Sequence, residues 1–283
     1  MNIVKAFQIK RCMTRWLLKS PISPYRFIPA PEIIIDEDQF THAAIADQSI
    51  KILNWNIAKN NNHDTWASDF IQILDEHRPD LIFLQEVRLD TDKQYILLLE
   101  EMGWNFAPNF IDNHHGAYAG ILTASKVKHL TRQSIITQHY EPLTKTPKVS
   151  LITEYPFENS NQNLLVINTH IINFVELQKF QSQLEQVERV IAKHQGPIIM
   201  AGDFNTWSQG RAKRLNAMAR RLNLINVSFL PNSRHKIKRF LYSPPLDHIF
   251  YRGLNEKKGS AKVLDQVYSS DHKPMIVEFF SNI

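Results

Sequence analysis

The apolar run at residues 197–201 does not end as a core strand ordinarily ends. After Gly202 it delivers Asp203 and Asn205, one on each side of Phe204. Other apolar runs are interrupted in the same way. Asn56 sits in "LNWNIA", Glu86 in "LQEV", Asn168 and His170 in "INTH", Asp247 follows Leu246 in "LDHIFY", and Asp271 and His272 lie in "SSDHKP". Buried apart and unpaired, such groups would cost many kcal/mol; gathered around a cation in one pocket they offset one another. Oxygen donors suit a hard cation such as Mg²⁺, which takes one or two carboxylates and fills its remaining positions with water and substrate phosphate. Zinc chemistry is disfavoured, because the chain has no CxxC or HExxH and its single cysteine, Cys12, lies far upstream.

The elements that must position this set are legible as alternating short strands and helices. Runs rich in Val, Ile, Leu and Phe predict strands over 50–58, 80–87, 118–125, 150–155, 164–172, 197–203, 246–251 and 275–280. Apolar residues at steps of three and four predict helices over 64–78, 174–195 and 210–223, the second capped by Asn173. The polar residues named above fall at or near the strand ends. The reading is one α+β domain over 50–283 behind residues 1–49, a basic leader and a proline-containing extended lead-in.

Net charge is +5 over 283 residues, but it is unevenly spread. Residues 1–19 carry five basic groups and no acid, and residues 209–241 carry nine basic groups and no acid. Residues 20–208 hold 14 basic and 23 acidic groups. The basic block directly after GDFN reads either as a solvated face or as an attraction for a polyanion. No run approaches 18 apolar residues, which argues against a membrane-spanning helix. Residues 1–19 lack the apolar centre of a secretory signal, leaving a membrane-surface contact as their alternative role. With the solitary thiol, these features point to the cytoplasm; oligomeric state is not encoded in any pattern found.

"LNWNIA", "LQEV", "INTH", "AGDFN", "LDHIFYRG" and "SSDHKP", in this order, resemble the endonuclease/exonuclease/phosphatase superfamily, which includes DNase I. "VINTHIINF", "GPIIMAGDFNTWS" and "LDHIFYRGLN" look closest to the YafD-like proteins of proteobacteria. The resemblance implies a four-layer α/β/β/α sandwich with its site where both sheets end. It also implies Glu86 as principal ligand of Mg²⁺ or Mn²⁺, with Asn56 and Asp271 beside it. Asp203 and Asn205 would align the attacking water and hold phosphoryl oxygens; His170 and His272 would flank the scissile phosphate. Asp247 would orient one of the two imidazoles, the choice being left open. The deoxyribonuclease-type members place a glutamate before the strand at 150–155 to support the second histidine; "KTPKVS" has no acid there, which leaves the support of His272 open. Lys148 in that stretch, with Asn168, Trp207 and Arg211, is expected to face substrate, and Phe204 and Trp207 are candidates for base stacking.

The leading expectation is a phosphodiesterase acting on nucleic acid. Its alternatives are hydrolysis of a phospholipid headgroup or a small phosphoester, and a non-catalytic scaffold that binds anions.

Overall fold

The computed structural model describes residues 27–29, 35–37, 40–90, 99 and 101–281. Its first part contributes β1 (Phe27–Pro29), β2 (Ile35–Glu37), β3 (Ile50–Asn56), helix α1 (Asp64–His77), β4 (Leu81–Asp90), β5 (Gly103–Asp112) and β6 (Ala117–Ser125). Next come β7 (Thr131–Ile136), β8 (Val149–Pro156), β9 (Asn163–His170), α2 (Leu177–Ile191), β10 (Ile198–Asp203) and α3 (Gln209–Arg221). The last part supplies β11 (Ile225–Asn226), the single turn α4 (Pro231–Arg234), β12 (Asp247–Arg252), β13 (Asn255–Glu256), β14 (Lys262–Val263) and β15 (Met275–Phe280).

One sheet has the order β1-β5-β6-β4-β3-β15-β13, with β2 added on β5 and β14 on β15; the other has the order β11-β12-β10-β9-β8-β7. Each sheet has one parallel pair at its heart, β3 with β4 and β9 with β10. Strand alternation explains how the sheets stack. Ile50 and Ile52 of β3 meet Leu164 and Val166 of β9, Ile199 and Ala201 of β10, and Ile249 and Tyr251 of β12 between the sheets. The opposite face of β3, Leu53 and Trp55, packs on Trp66, Phe70 and Ile73 of α1. Leu165, Ile167, Ile198 and Met200 pack on Phe180 and Leu184 of α2 and on Leu215 and Met218 of α3. The result is the four-layer α/β/β/α sandwich. Residues 1–19, and with them Cys12 and the membrane-surface reading, lie outside the described residues.

Three departures from the sequence reading have physical causes. β5 carries Pro108, which reads as a strand breaker; a register shift between Pro108 and Phe110 absorbs it. β7 is too polar to read as a core strand, and it forms the sheet's outer edge. Helix α2 starts at Leu177 rather than 174, because Asn173 is occupied elsewhere: its Oδ1 accepts the indole N–H of Trp207 and the backbone N–H of Phe174.

Candidate active site

Inner-face alternation runs on past the apolar layer and ends in polar residues. Ile50 and Ile52 of β3 lead to Asn54 and Asn56, and Leu164 and Val166 of β9 lead to Asn168 and His170. Ile199 and Ala201 of β10 lead to Asp203. Strand register then places Asp203 beside His170 on one side and Asp247 on the other. Glu86 arrives differently. By strict alternation it would share the helix-facing side of β4 with Ile82 and Leu84. A register shift between Leu84 and Val87, with Glu86 at φ 53°, turns it onto the cavity wall instead. Asn205, also left-handed at φ 49°, is pinned by its N–H on Asp203 Oδ1 (2.9 Å) and its amide on the Ile171 carbonyl (2.8 Å).

These residues converge on a cavity of about 640 Å³ lined by Asn56, Glu86, His170, Asp203, Asn205, Asp271 and His272. Asp203 Oδ2 accepts from the Asn56 amide at 3.0 Å and lies 3.5 Å from His170 Nε2 and 3.9 Å from His272 Nε2. His272 Nδ1–H donates to Asp247 Oδ2 at 2.8 Å, so Asp247 serves His272. That carboxylate supplies the support that "KTPKVS" lacks. The His272 backbone is fixed independently: its carbonyl accepts the Trp55 indole N–H at 3.0 Å. His170 Nε2 stands 4.0 Å from Glu86 Oε1.

Electrostatics give the two imidazoles different states. Burial pushes His170 well below the ordinary histidine range, helped by the charge of Lys148. Burial also works against the charged form of His272, but the Asp247 charge and hydrogen bond, with Asp203 and Asp271, raise it to about 9. At neutral pH, then, one histidine is neutral and the other cationic. Burial and the Asp247 charge push the Asp203 carboxyl upward, against His272 and the N–H of Asn205. Burial pushes Glu86 up as well, yet the charges of Lys148 and Lys59 hold it well below the usual carboxylate range.

Four expectations for substrate contact are corrected or narrowed. Asn168 is fully buried beneath the cavity; its amide donates to the Leu84 and Leu122 carbonyls and its Oδ1 accepts from Gln85, tying the two sheets together. Phe204 is likewise fully buried, edge-on to Phe250, and offers no stacking face. Arg211 is 1% exposed. Its guanidinium donates to the carbonyls of Ile172, Asn205 and Val175 and is sandwiched by Phe180 and Trp207, 4.6 and 4.7 Å from the ring centres. Trp207, stacked on Arg211 and bonded to Asn173, is a wall of this scaffold rather than a cavity residue. Only Lys148 of the four substrate candidates lines the cavity, 3.6 Å from Glu141. Arg211→Lys is expected to lower stability by about 2–4 kcal/mol, read from urea unfolding, because one ammonium cannot satisfy three buried carbonyls set in a fork.

Sequence reasoning missed Lys59, Glu141 and the aromatic rim formed by Phe174 and Phe240, all lining the cavity. Lys59 pairs with Glu86 at 3.1 Å. Asp271 is the outermost of the expected ligands, its side chain 61% exposed and paired with Lys238 at 2.8 Å. Lys238 belongs to the basic block, so that signal was present; Glu141 lies outside any motif and reaches the site only through the loop at 141–146, closed by its N–H on the Thr146 carbonyl.

Comparison with known proteins agrees with this fold. The model of the endonuclease/exonuclease/phosphatase family matches residues 53–272. A UPF0294 protein of Vibrio campbellii is 35% identical over 245 residues, covering 83% of this chain and 79% of its own. One from Vibrio cholerae is 32% identical over 235 residues, covering 82% and 78%. Among solved structures, the human Nocturnin catalytic domain with bound sulfate superposes with a TM-score of 0.61 at 18% identity, covering 87% of this chain and 96% of its own. TDP2 of D. rerio in complex with a single-strand DNA product gives 0.53 at 17% identity, covering 83% and 100%.

Proposed function

Because this chain belongs to the endonuclease/exonuclease/phosphatase family, we propose that it is a divalent-metal-dependent phosphodiesterase of the cytoplasm whose substrate is nucleic acid. The observation that carries this reading is the convergence on Asp203, whose one carboxylate oxygen lies within 3.9 Å of side-chain nitrogens of Asn56, His170 and His272.

The donor set fits a hard cation. Glu86 is held ionised at the cavity, and Asn56 and Asp271 bring further oxygens to the same space, with no thiolate among them. A second acidic group, Asp203, Asp247 and His272, has its ligand atoms within 4.8 Å of one another. It suits proton handling better than metal binding, since a cationic imidazole already bonded to Asp247 has no lone pair to give. Mg²⁺ or Mn²⁺ held by Glu86, Asn56 and Asp271 would neutralise charge on the phosphoryl group.

The chain's own residues divide the remaining tasks. Asp203, raised by burial, is poised to take a proton from a water that the Asn205 amide helps align. His272, cationic and braced by Asp247, donates through Nε2 to a phosphoryl or leaving oxygen, where a fixed donor acts most strongly. His170, neutral, adds a hydrogen bond without repelling a cation. Lys148 and Lys59 bring positive charge to the same cavity as these groups.

Purified protein offered bis-p-nitrophenyl phosphate, plasmid DNA, RNA and phosphoinositide vesicles tests the reading. Turnover of the diester and of nucleic acid is expected with Mg²⁺ or Mn²⁺ and should vanish in EDTA. Turnover indifferent to EDTA would remove the metal, and turnover of vesicles alone would replace nucleic acid with a lipid headgroup. Glu86→Gln is expected to lower metal affinity by at least about 10–100-fold, measured as the metal concentration at half-maximal rate.

A further inference from the structure

We propose that Phe174 and Phe240 form a stacking ledge at the mouth of the cavity that takes an unpaired base next to the bound phosphate, making single-stranded nucleic acid the preferred substrate. This rests on the phosphodiesterase reading and narrows it.

The two rings lie 6.3 Å apart, tilted by 34°, and both line the cavity alongside Asn205, His170 and Asp203. Their exposures are 59% and 42%, high for rings that could have packed inward. Phe174 is not outward by neglect. It is held at φ 49°, a left-handed conformation that is strained for a bulky side chain. Buried machinery maintains it. Arg211 grips the carbonyls of Ile172 and Val175, one on each side of Phe174, and Asn173 Oδ1 receives both the Phe174 N–H and the Trp207 indole N–H. The same guanidinium holds the Asn205 carbonyl, so the ring and the amide at the site share one support. Phe240 is fixed by a closed turn in which its N–H bonds Ser243 Oγ and its carbonyl receives the Ser243 N–H, each at 2.8 Å.

A planar apolar face beside a cavity that holds Asn205, His170 and Asp203 matches a nucleobase joined to its phosphate. Lys238 and Lys148 also line the cavity, each in an ion pair, with Asp271 at 2.8 Å and Glu141 at 3.6 Å, and a strand's phosphates would compete with those carboxylates for them. Inside a duplex both faces of each base are already stacked, so an interior base must leave the stack before it can cover the ring. A lipid surface would instead be entered by projecting tips. Leu143, Leu241 and Tyr242 project nearby at 90%, 91% and 100% exposure, so binding to anionic vesicles decides between the two occupants. Phe174 and Phe240 lie 6.3 Å apart in the cavity lining, and the Trp207 ring lies 6.3 Å from Phe174.

Binding measured in EDTA separates this proposal from catalysis. The probes are a single strand carrying 2-aminopurine, its duplex, and a baseless tetrahydrofuran strand of equal charge. The wild-type protein is expected to bind the single strand at least about 10-fold tighter than the baseless strand, with 2-aminopurine quenching, and the duplex more weakly than the single strand. In the Phe174→Ala/Phe240→Ala double variant the ratio of single strand to baseless strand is expected to collapse towards one, with quenching lost. Equal wild-type affinity for the two strands overturns the ledge. So does a double variant that weakens both alike, or one that abolishes binding to anionic phospholipid vesicles while its strand ratio stays intact. Should the double variant misfold by circular dichroism, Phe174→Leu and Phe240→Leu, which keep apolar volume without a ring face, must lose the ratio for the ledge to stand. Turnover of bis-p-nitrophenyl phosphate is scored separately; its failure with base-dependent binding intact would sink the hydrolase reading and leave the ledge in place.

Discussion

Replacing His272 by alanine is expected to lower kcat on a phosphodiester by about 10²–10³, the loss seen when one fixed donor to a developing oxyanion is removed. The donor is well placed to matter. Its Nε2 faces the cavity 3.9 Å from Asp203, its Nδ1 is held by Asp247 at 2.8 Å, and its carbonyl is anchored by Trp55. The backbone anchor does not depend on the side chain, so the loop should keep its place when the imidazole is gone. His272→Gln, which can still donate to Asp247, is expected to hold the fold and recover no more than about tenfold of the rate, because it lacks the positive charge. Asp247→Ala acts mainly through His272, with a smaller effect through the charge it removes from beside Asp203. In the His272→Ala/Asp247→Ala pair the two losses should therefore overlap rather than multiply. Rates come from bis-p-nitrophenyl phosphate at saturating metal, and folding from circular dichroism. A His272→Ala protein retaining most of its rate, or a pair whose losses multiply, would remove His272 from the chemistry or Asp247 from its service.

Much of this site could be read before any coordinates, for a specific reason. Period-two alternation places Asn56, His170 and Asp203 on the face of their strands that carries Ile52, Val166 and Ala201, so the direction of each polar group follows from its apolar neighbours. Glu86 breaks the rule. Alternation sends it to the helix side, and only the shift in register against β6 reverses it; motif resemblance named the residue that periodicity alone would have misplaced. The basic block shows where composition stops informing. Arg211 is a buried clamp, Arg221 makes a bidentate pair with Glu188, and Lys236 and Lys238 pair with Asp265 and Asp271. Their partners lie up to 39 residues away in sequence, and nothing local distinguishes a clamp from a solvated cation. The aromatic rim was illegible for the complementary reason. Phe174 stood inside a predicted helix, and the engagement of Asn173 by Trp207, with the Arg211 grip on the Ile172 and Val175 carbonyls, stops that helix short and leaves the ring outside.

Gly202→Ala is expected to cost at least about 3 kcal/mol, or to prevent folding outright, although it adds one methyl group. Gly202 has φ 151°, and a Cβ there would lie 1.9 Å from the Thr169 carbonyl oxygen of the neighbouring parallel strand. That obstacle is backbone and cannot rotate away, so β9 and β10 must part. They would part where it matters most: Gly202 pairs with Thr169, and the next pair along is Asp203 with His170. The 3.5 Å approach of His170 Nε2 to Asp203 depends on strands this close. Whatever fraction of the variant folds should therefore lose rate as well as stability. Gly259→Ala is the control, since Gly259 is also left-handed, at φ 79°, but has nothing within 4 Å of the added carbon. It carries the conformational cost alone, about 1–2 kcal/mol. Urea unfolding of both variants, with turnover measured on the folded protein, separates the two contributions. Equal losses at the two glycines would mean that the tight contact between β9 and β10 does not set the spacing of His170 and Asp203, and that the site's geometry is held from the loops instead.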